Sequence, residues 1–366
     1  MVLPPRGDFS PEAAGAIGIV VHRLARASGP GFAPVVVGPA SPFPPYADVA
    51  FAPVGAGWWP PGPNAWRYGH QVRRRLRGLA PALIEVHNRP DVALFLAERC
   101  AGTPVALFLH NDPREMRAAR TLAERRRLLA RLARVVTVSA FLRRRLIEGI
   151  EDASSVAVLP NPIEDAAGVS AAPAGGRERV LLFAGRVVRD KGADGFVAAA
   201  AEALGRLPGW RAEMFGADRF GPGSPENAYL RALQRRAAAA GITMHGYRPH
   251  AEVLAAMARA AIVVVPSRWE EPFGLTALEA LAAGAALIAS PRGALPEVAG
   301  EAARYADPDE PGALAAAMVA LAGDPAAQAA LGAAGVARAR MFDVVHVAAR
   351  LDALRREILG RENHRS

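Results

Sequence analysis

Ala261-Ile262-Val263-Val264-Val265-Pro266, followed two residues later by Trp269-Glu270-Glu271-Pro272-Phe273-Gly274-Leu275-Thr276-Ala277-Leu278-Glu279-Ala280-Leu281-Ala282-Ala283-Gly284, is the stretch on which the fold turns. The first run is apolar and β-branched, as a strand buried on both faces of a parallel sheet requires. Pro272, Phe273 and Gly274 break the chain. Leu275 to Ala283 then reads as a helix stopped by Gly284. Two carboxylates bracket the helix start, Glu271 in the loop and Glu279 more than a turn in. As helix-start residues they need no further role, because a helix N-terminus favours anions. Glu279, however, shares a helix face with Thr276 and Ala283, whose small side chains leave room for a ligand. The spacing therefore predicts that Glu271 and Glu279 grip hydroxyl groups while the amides of Gly274 and Leu275 meet a phosphate.

Working outward, 366 residues exceed what one core usually holds, so two domains are expected. No apolar run is long enough to span a bilayer, and Met1-Val2-Leu3-Pro4-Pro5 does not read as a signal peptide. Cys100 is the only cysteine, which excludes disulfides within the chain, argues against a thiolate metal cluster and fits a reducing cytoplasm. Charge is unevenly placed. Residues 1–150 hold 21 arginines against 10 acids, while the remainder is close to neutral. A basic half of this kind attracts anionic lipid, nucleic acid or a polyanionic substrate, and solvated helix faces explain it equally well.

The pattern along the first half alternates strand and helix. Val2-Leu3 is a stub of a first strand, so the true start is expected upstream. Gly15 to Ala25 reads as a helix opened by a small-residue turn, and Ala33 to Gly38 as a strand. Residues 39–66 read as a long Pro- and Gly-rich loop with Trp58, Trp59 and Trp66 packed under it. A basic helix is expected over Gln71–Leu79, strands over Ala82–Asn88 and Pro104–Leu109, and a helix over Pro90–Cys100. His87, Asn88 and His110 stand at strand carboxyl ends, where open α/β sheets bind ligands. Met116–Leu132 reads as an Arg-rich amphipathic helix able to lie on an anionic membrane. Ser139 is expected to cap a helix over Ala140–Glu148.

The second half restarts the alternation at Val180. Its loop Gly185-Arg186-x4-Lys191-Gly192 holds the only lysine in the chain, against 43 arginines. A compact ammonium on a flexible stem suits phosphate as a point charge, and Arg186 five residues earlier would flank a diphosphate. The whole pattern implies two doubly wound α/β domains with right-handed crossovers, residues 1–162 and 178–343, joined by a linker at 163–177.

These motifs in this order, Gly-Arg-x4-Lys-Gly, Gly216, Gly246-Tyr247, Pro266-Ser267 and Glu271-x7-Glu279, resemble the retaining glycosyltransferases called family 4 or group 1. His110 and Leu159-Pro160-Asn161 fit the same pattern. The resemblance implies the GT-B fold, two Rossmann-like domains facing across a cleft with the last helix, 344–366, crossing back to the first domain. It implies that Arg186 and Lys191 bind the donor diphosphate and Glu279 the ribose hydroxyls. Glu271 would contact the donor sugar, with Phe273, Gly274 and Leu275 reaching sugar and phosphate through their amides. The backbone of Tyr247 and Arg248 would hold the base, and His110 would approach the sugar from the first domain. Gly15, Ala16, His87 and Asn88 fall on the acceptor side. The family's first loop usually has paired glycines, and Gly15-Ala16 departs from that.

The implied reaction is retaining transfer of a hexose-type sugar from a nucleoside diphosphate to a hydroxyl acceptor, with no protein nucleophile and no cofactor. The acceptor would be a cell-envelope polysaccharide, lipopolysaccharide or glycolipid intermediate, with the enzyme cytoplasmic or peripheral on the inner membrane face. Arg186, Lys191 and helix amides would stabilise the leaving group without a metal. Asp307-Pro308-Asp309, the only Asp-x-Asp triplet, reads as a turn. The rivals are a sugar-nucleotide epimerase or phosphorylase of the same build, and a non-catalytic basic protein. No nucleic-acid motif accompanies the arginines.

Overall fold

The computed structural model describes residues 1–55, 64–164, 176–219, 223–224 and 226–363. The chain divides into two compact units, Met1–Pro162 with Val344–Ser366, and Ile163–Asp343. Both are α/β.

The first unit runs α1 (Ala16–Arg26), β1 (Val36–Pro39), β2 (Phe51–Val54), α2 (Asn64–Leu79), β3 (Ile84–His87), α3 (Pro90–Arg99), β4 (Val105–Leu109), α4 (Leu122–Arg131), β5 (Arg134–Thr137), α5 (Ala140–Ile147) and β6 (Val156–Val158). β1 pairs with β2, and β3 to β6 pair in chain order, all parallel. Val2 bridges Val37 on one side and Val86 on the other. Its N–H donates to Glu85 O, and its carbonyl accepts from the His87 amide. The stub Val2-Leu3 is thus a strand of the sheet, lying between β1 and β3. From it the chain winds one way through β1 and β2, then returns and winds the other way from β3. The carboxyl end of β3, with His87 and Asn88, therefore lies at the point where the winding reverses, which is where open α/β sheets place ligands.

The second unit runs β7 (Glu178–Ala184), α6 (Ala193–Leu204), β8 (Arg211–Phe215), α7 (Ala228–Ala239), β9 (Thr243–Met244), α8 (His250–Arg259), β10 (Ala260–Val265), α9 (Leu275–Ala282), β11 (Ala286–Ala289), α10 (Leu295–Ala299), β12 (Ala303–Tyr305), α11 (Ala313–Ala322) and α12 (Pro325–Ala339). The sheet order is β12-β11-β10-β7-β8-β9, all parallel. All six residues of β10 are buried, as its unbroken apolar run requires. Here the winding reverses between β7 and β10, so the loops leaving those two strands flank the reversal.

The last helix, α13 (Val344–Asn363), belongs to the first unit. Its Arg355 is buried and makes a bidentate pair with Glu85 of β3, both nitrogen–oxygen distances being 2.8 Å. Asp352 accepts from Arg355 at 3.0 Å and from the Gly29 amide at 2.8 Å.

Three sequence expectations change. Residues 39–66 are not one loop, since β2 lies within them and α2 begins at Asn64 rather than Gln71. Pro53 is tolerated because β2 is the outer strand, where its missing N–H breaks no ladder. The helix expected over Met116–Leu132 starts only at Leu122. Ala118 has φ +65°, which no helix continues through. Thr121 and Glu124 then form a capping box that fixes the new start. Trp58, Trp59 and linker residues 165–175 lie outside the described residues.

Candidate functional site

The loop leaving β7 is stitched to the loop leaving β10. The carbonyl of Asp190 accepts from the amides of Arg268 and Trp269, at 2.9 and 3.0 Å, and from Ser267 Oγ at 3.2 Å. Gly192 adopts φ +70°, and a Cβ there would lie 1.8 Å from the carbonyl oxygen of Pro266. Only glycine lets the Lys191 loop pass so close to the end of β10.

That passage brings together the only lysine and the first of the two predicted carboxylates. Lys191 Nζ donates to Glu271 Oε1 at 2.7 Å and Oε2 at 2.9 Å. Glu271 is buried, Lys191 is partly open, and Nζ also lies 4.6 Å from the centre of the Trp269 ring. The cation read as a diphosphate ligand and the carboxylate read as a sugar ligand are therefore partners of each other. A donor carrying phosphate and hydroxyls would replace the pair with one partner for each. Arg186 has no ion-pair partner among the described residues, so its charge is available at the same reversal point.

Helix α9 starts at this spot. Gly274, at φ +93°, is its N-cap, and no side chain caps the first amides. Gly274, Leu275 and Thr276 are only half-buried, while Phe273 is buried and stacks edge-on to Phe342 at 5.8 Å. The leftover amides and the helix dipole favour an anion. The loops before α10 and after β12 brace the region from outside. Arg292 pairs with Asp307 and Asp309, at 2.9 and 2.6 Å, and Arg268 with Asp309 and Asp194, at 3.0 and 2.8 Å. The Asp-x-Asp carboxylates are thus held by two guanidiniums. Among the described residues no group of three or more His, Cys, Asp or Glu side chains is placed to hold a metal ion.

Glu279 is buried as well, but it does not simply face an open cavity. Its Oε1 is 2.8 Å from Nε2 of His250, the first residue of α8. His250 escaped the sequence reading, although it closes the Gly246-Tyr247-Arg248-Pro249 loop read as the base-binding turn. Tyr247 is half-buried, and exposed Arg248 makes a loose 3.9 Å pair with Glu252. Below this loop lies a second buried carboxylate that the sequence reading did not single out. Glu213 of β8 accepts from Arg259 at 2.6 Å, from His245 at 3.1 Å and from Arg211 at 3.1 Å. A glutamate inside the strand Arg211-Ala212-Glu213-Met214-Phe215 was the visible signal, since a mid-strand charge needs partners. The network ties the ends of β8 and β9 to α8.

In the first unit the predicted polar strand ends do come together. His87 Nδ1 lies 3.0 Å from His110 Nε2, and both rings are buried. Asn88, at φ +58°, turns its Oδ1 to accept from the amides of His110 and Asn111, each at 3.1 Å. Its job is to shape the turn. Gly15 is the extended N-cap of α1 without a side-chain cap, and Ala16 is exposed.

The amphipathic reading of the Arg-rich stretch is corrected. Leu128 and Leu132 pack into the core of the first unit and Leu129 packs against it, so most of the leucines of this stretch face the protein. Arg125 is buried and donates to the carbonyls of Leu146, Arg120 and Glu148. Arg127 pairs with Glu98 at 2.7 Å.

Residues 178–324 match the family model described as Glycosyl transferases group 1, and residues 17–167 that of Glycosyltransferase Family 4. The chain belongs to this family. Its fold is GT-B. Sucrose-phosphate synthase from Thermosynechococcus elongatus superposes with a TM-score of 0.80 at 21% identity, over 98% of each chain. Anabaena HepE, solved with UDP and glucose, gives 0.74 at 18% identity, over 96% of this chain and 98% of its own. By sequence, this group 1 glycosyltransferase is 32% identical over 189 residues to the D-inositol 3-phosphate glycosyltransferase of Corynebacterium glutamicum, covering 50% of the chain and 45% of that protein. It is 25% identical over 248 residues to the putative glycosyltransferase YtcC of Bacillus subtilis, covering 63% and 60%. The chain spans only part of the length of such curated relatives, 26%, 45% and 60% of three of them.

Proposed function

We propose that the protein transfers a hexose-type sugar, with retention, from a nucleoside-diphosphate donor to a hydroxyl acceptor. The observation that carries this reading is the Lys191–Glu271 pair, set beside an uncapped helix start where the sheet winding reverses. Lys191, Arg186 and the α9 amides take the diphosphate, Glu271 takes sugar hydroxyls, and Glu279 takes the ribose. The backbone at Tyr247 and Arg248 takes the base. In the reaction the bond between sugar and diphosphate breaks and the acceptor oxygen bonds to the same face of the sugar. The acceptor's proton passes to the departing phosphate. Negative charge grows on that phosphate, and the two cations and the helix amides stabilise it. This assigns the leaving group's stabilisation to the chain itself, without a metal or cofactor. Lys191 already partners Glu271, which argues against a free carboxylate nucleophile.

The reading draws support from relatives named as glycosyltransferases and from a neighbour solved with UDP and glucose. A panel of UDP, GDP and ADP sugars with saccharide acceptors tests it. Release of nucleoside diphosphate that depends on acceptor and persists in EDTA is expected. Conversion of a donor sugar without acceptor would point instead to an epimerase, and no response to any nucleotide sugar would sink the reading.

Glu279 needs its hydrogen-bond partner to face ribose squarely. His250→Ala is expected to raise the donor KM about tenfold, the size of one lost hydrogen bond to a charged group. His250→Gln, which can still donate, should recover most of it. Equal KM values for the alanine variant and the wild type would remove His250 from the site.

We place the acceptor among envelope polysaccharide, lipopolysaccharide or glycolipid intermediates, and the enzyme on the cytoplasmic face of the membrane, held by charge alone. The support is the 21-to-10 excess of arginine over acids in residues 1–150, with Leu128 and Leu129 of α4 packed on the core. Co-sedimentation with anionic vesicles is expected at low salt and should vanish above about 0.5 M, where charges are screened within a few ångströms. Binding that survives high salt, or none at low salt, would contradict electrostatic attachment.

A further inference from the structure

The carboxyl ends of β3 and β4 carry two buried histidines in contact. His87 is 0% exposed and His110 8%, and His87 Nδ1 to His110 Nε2 is 3.0 Å. One of these two nitrogens must carry the shared proton. The other nitrogen of His87, Nε2, is buried with no hydrogen-bond partner. That orphan decides the direction. A neutral imidazole has one N–H and one bare nitrogen. If His87 held its proton on Nε2, a buried N–H would go unanswered. If it holds it on Nδ1, only a lone pair is left over. Orphaned buried N–H groups are rarer and costlier than unused acceptors. His87 therefore donates from Nδ1 to His110 Nε2.

The consequence falls on His110. Accepting at Nε2, it keeps its own proton on Nδ1. That nitrogen has no partner among the described residues and, unlike Nε2 of His87, it is not among their buried orphans. Both rings are held in place. The His87 ring stacks on Phe108 at 4.8 Å, its amide donates to Val2 O, and Asn88 Oδ1 grips the amide of His110. Burial keeps both rings neutral, pushing His87 well below the usual imidazole range and His110 down to about 4.

We infer that His87 is a positioning residue that locks His110 as the Nδ1–H tautomer, so that His110 offers a fixed hydrogen-bond donor to a ligand oxygen, a sugar hydroxyl in the function proposed above. Only the identity of the ligand rests on that function, because the tautomer follows from the contact between the two rings and the buried Nε2 of His87. A neutral donor of this kind orients a hydroxyl without adding a charge to the site.

Two-bond proton–nitrogen spectra of protein labelled with ¹⁵N-histidine read the tautomers directly at pH 7. His110 should show a protonated Nδ1 and a bare Nε2. In His87→Asn the side-chain amide occupies the place of Nδ1, so the tautomer should persist and kcat stay within about threefold of wild type. In His87→Leu the lock is gone, and His110 should shift toward the Nε2–H form while kcat falls about tenfold and donor KM holds. His110 protonated on Nε2 in the wild type would overturn the inference. So would a His87→Leu protein that keeps both tautomer and kcat. If that variant does not fold, the wild-type and His87→Asn spectra decide. Should no sugar transfer be found, the spectra still test the lock separately from the proposed reaction.

Discussion

Lys191→Ala is expected to lower the rate of sugar transfer by about 10²–10³-fold, the usual effect of removing one group aimed at charge that develops in a transition state. Lys191 is the only lysine in a chain of 43 arginines, and its ammonium lies within hydrogen-bond reach of both oxygens of Glu271. The substitution has a second effect. It strands the buried Glu271 carboxylate without its cation, at a cost of about 1–3 kcal/mol. Rate and stability must therefore be separated. Adding Glu271→Gln should restore the melting temperature by removing the stranded charge, yet leave transfer as slow or slower. Lys191→Arg should not rescue the rate, because a planar fork on a longer stem cannot reproduce a point charge in a loop held against Pro266. Steady-state kinetics beside thermal unfolding of the three variants checks this. A Lys191→Ala enzyme within fivefold of wild type would remove Lys191 from the chemistry.

The largest expected loss of stability lies far from that loop in sequence. Arg355→Met should destabilise the first unit by about 3–5 kcal/mol, because it leaves Glu85 as an uncompensated buried charge. Both side chains are about 95% buried and share two hydrogen bonds. The double variant Glu85→Gln with Arg355→Met should recover most of the loss, since the penalty comes from the unpaired charge rather than from the absent bond. Calorimetric unfolding provides the comparison. If the single variant melts within a degree of wild type, the pair contributes nothing. The same pair gives an acid sensitivity. Burial raises the Glu85 carboxyl, but the Arg355 charge and hydrogen bonds outweigh this and hold it below its ordinary value. A depressed carboxyl stabilises above its unfolded pKa, so this contribution is full at neutral pH. It is lost as pH falls through the lowered folded value.

Much of the second unit was legible because its signals are local. An unbroken apolar run gave β10, and Gly274 and Gly284 gave the ends of α9. The pairing of Lys191 with Glu271 was not legible. Nothing in the sequence says that β7 and β10 are neighbours, because strand order is set by how whole helices pack. Glu85 with Arg355 was hidden for the same reason, being 270 residues apart. Other misses were readable. Thr121-x-x-Glu124 is a capping box in plain sequence, and overlooking it extended α4 by six residues at its start. β2 was hidden because Pro53 argues against a strand everywhere except at a sheet edge. His250 was passed over because one histidine at a helix start has no periodic signal, and only folding brings it to Glu279.

Binding measures the central claim most directly, because it needs no acceptor. Titration calorimetry of UDP, GDP and ADP against the wild type and Arg186→Ala isolates the diphosphate site. Arg186 has no ion-pair partner among the described residues, so its loss should leave the melting temperature unchanged. At least one nucleoside diphosphate should bind the wild type, and Arg186→Ala should weaken it about tenfold to a hundredfold, the worth of one charged hydrogen bond. Equal affinity in the two proteins, or no binding of any nucleoside diphosphate to the wild type, would contradict a donor site at the β7–β10 reversal.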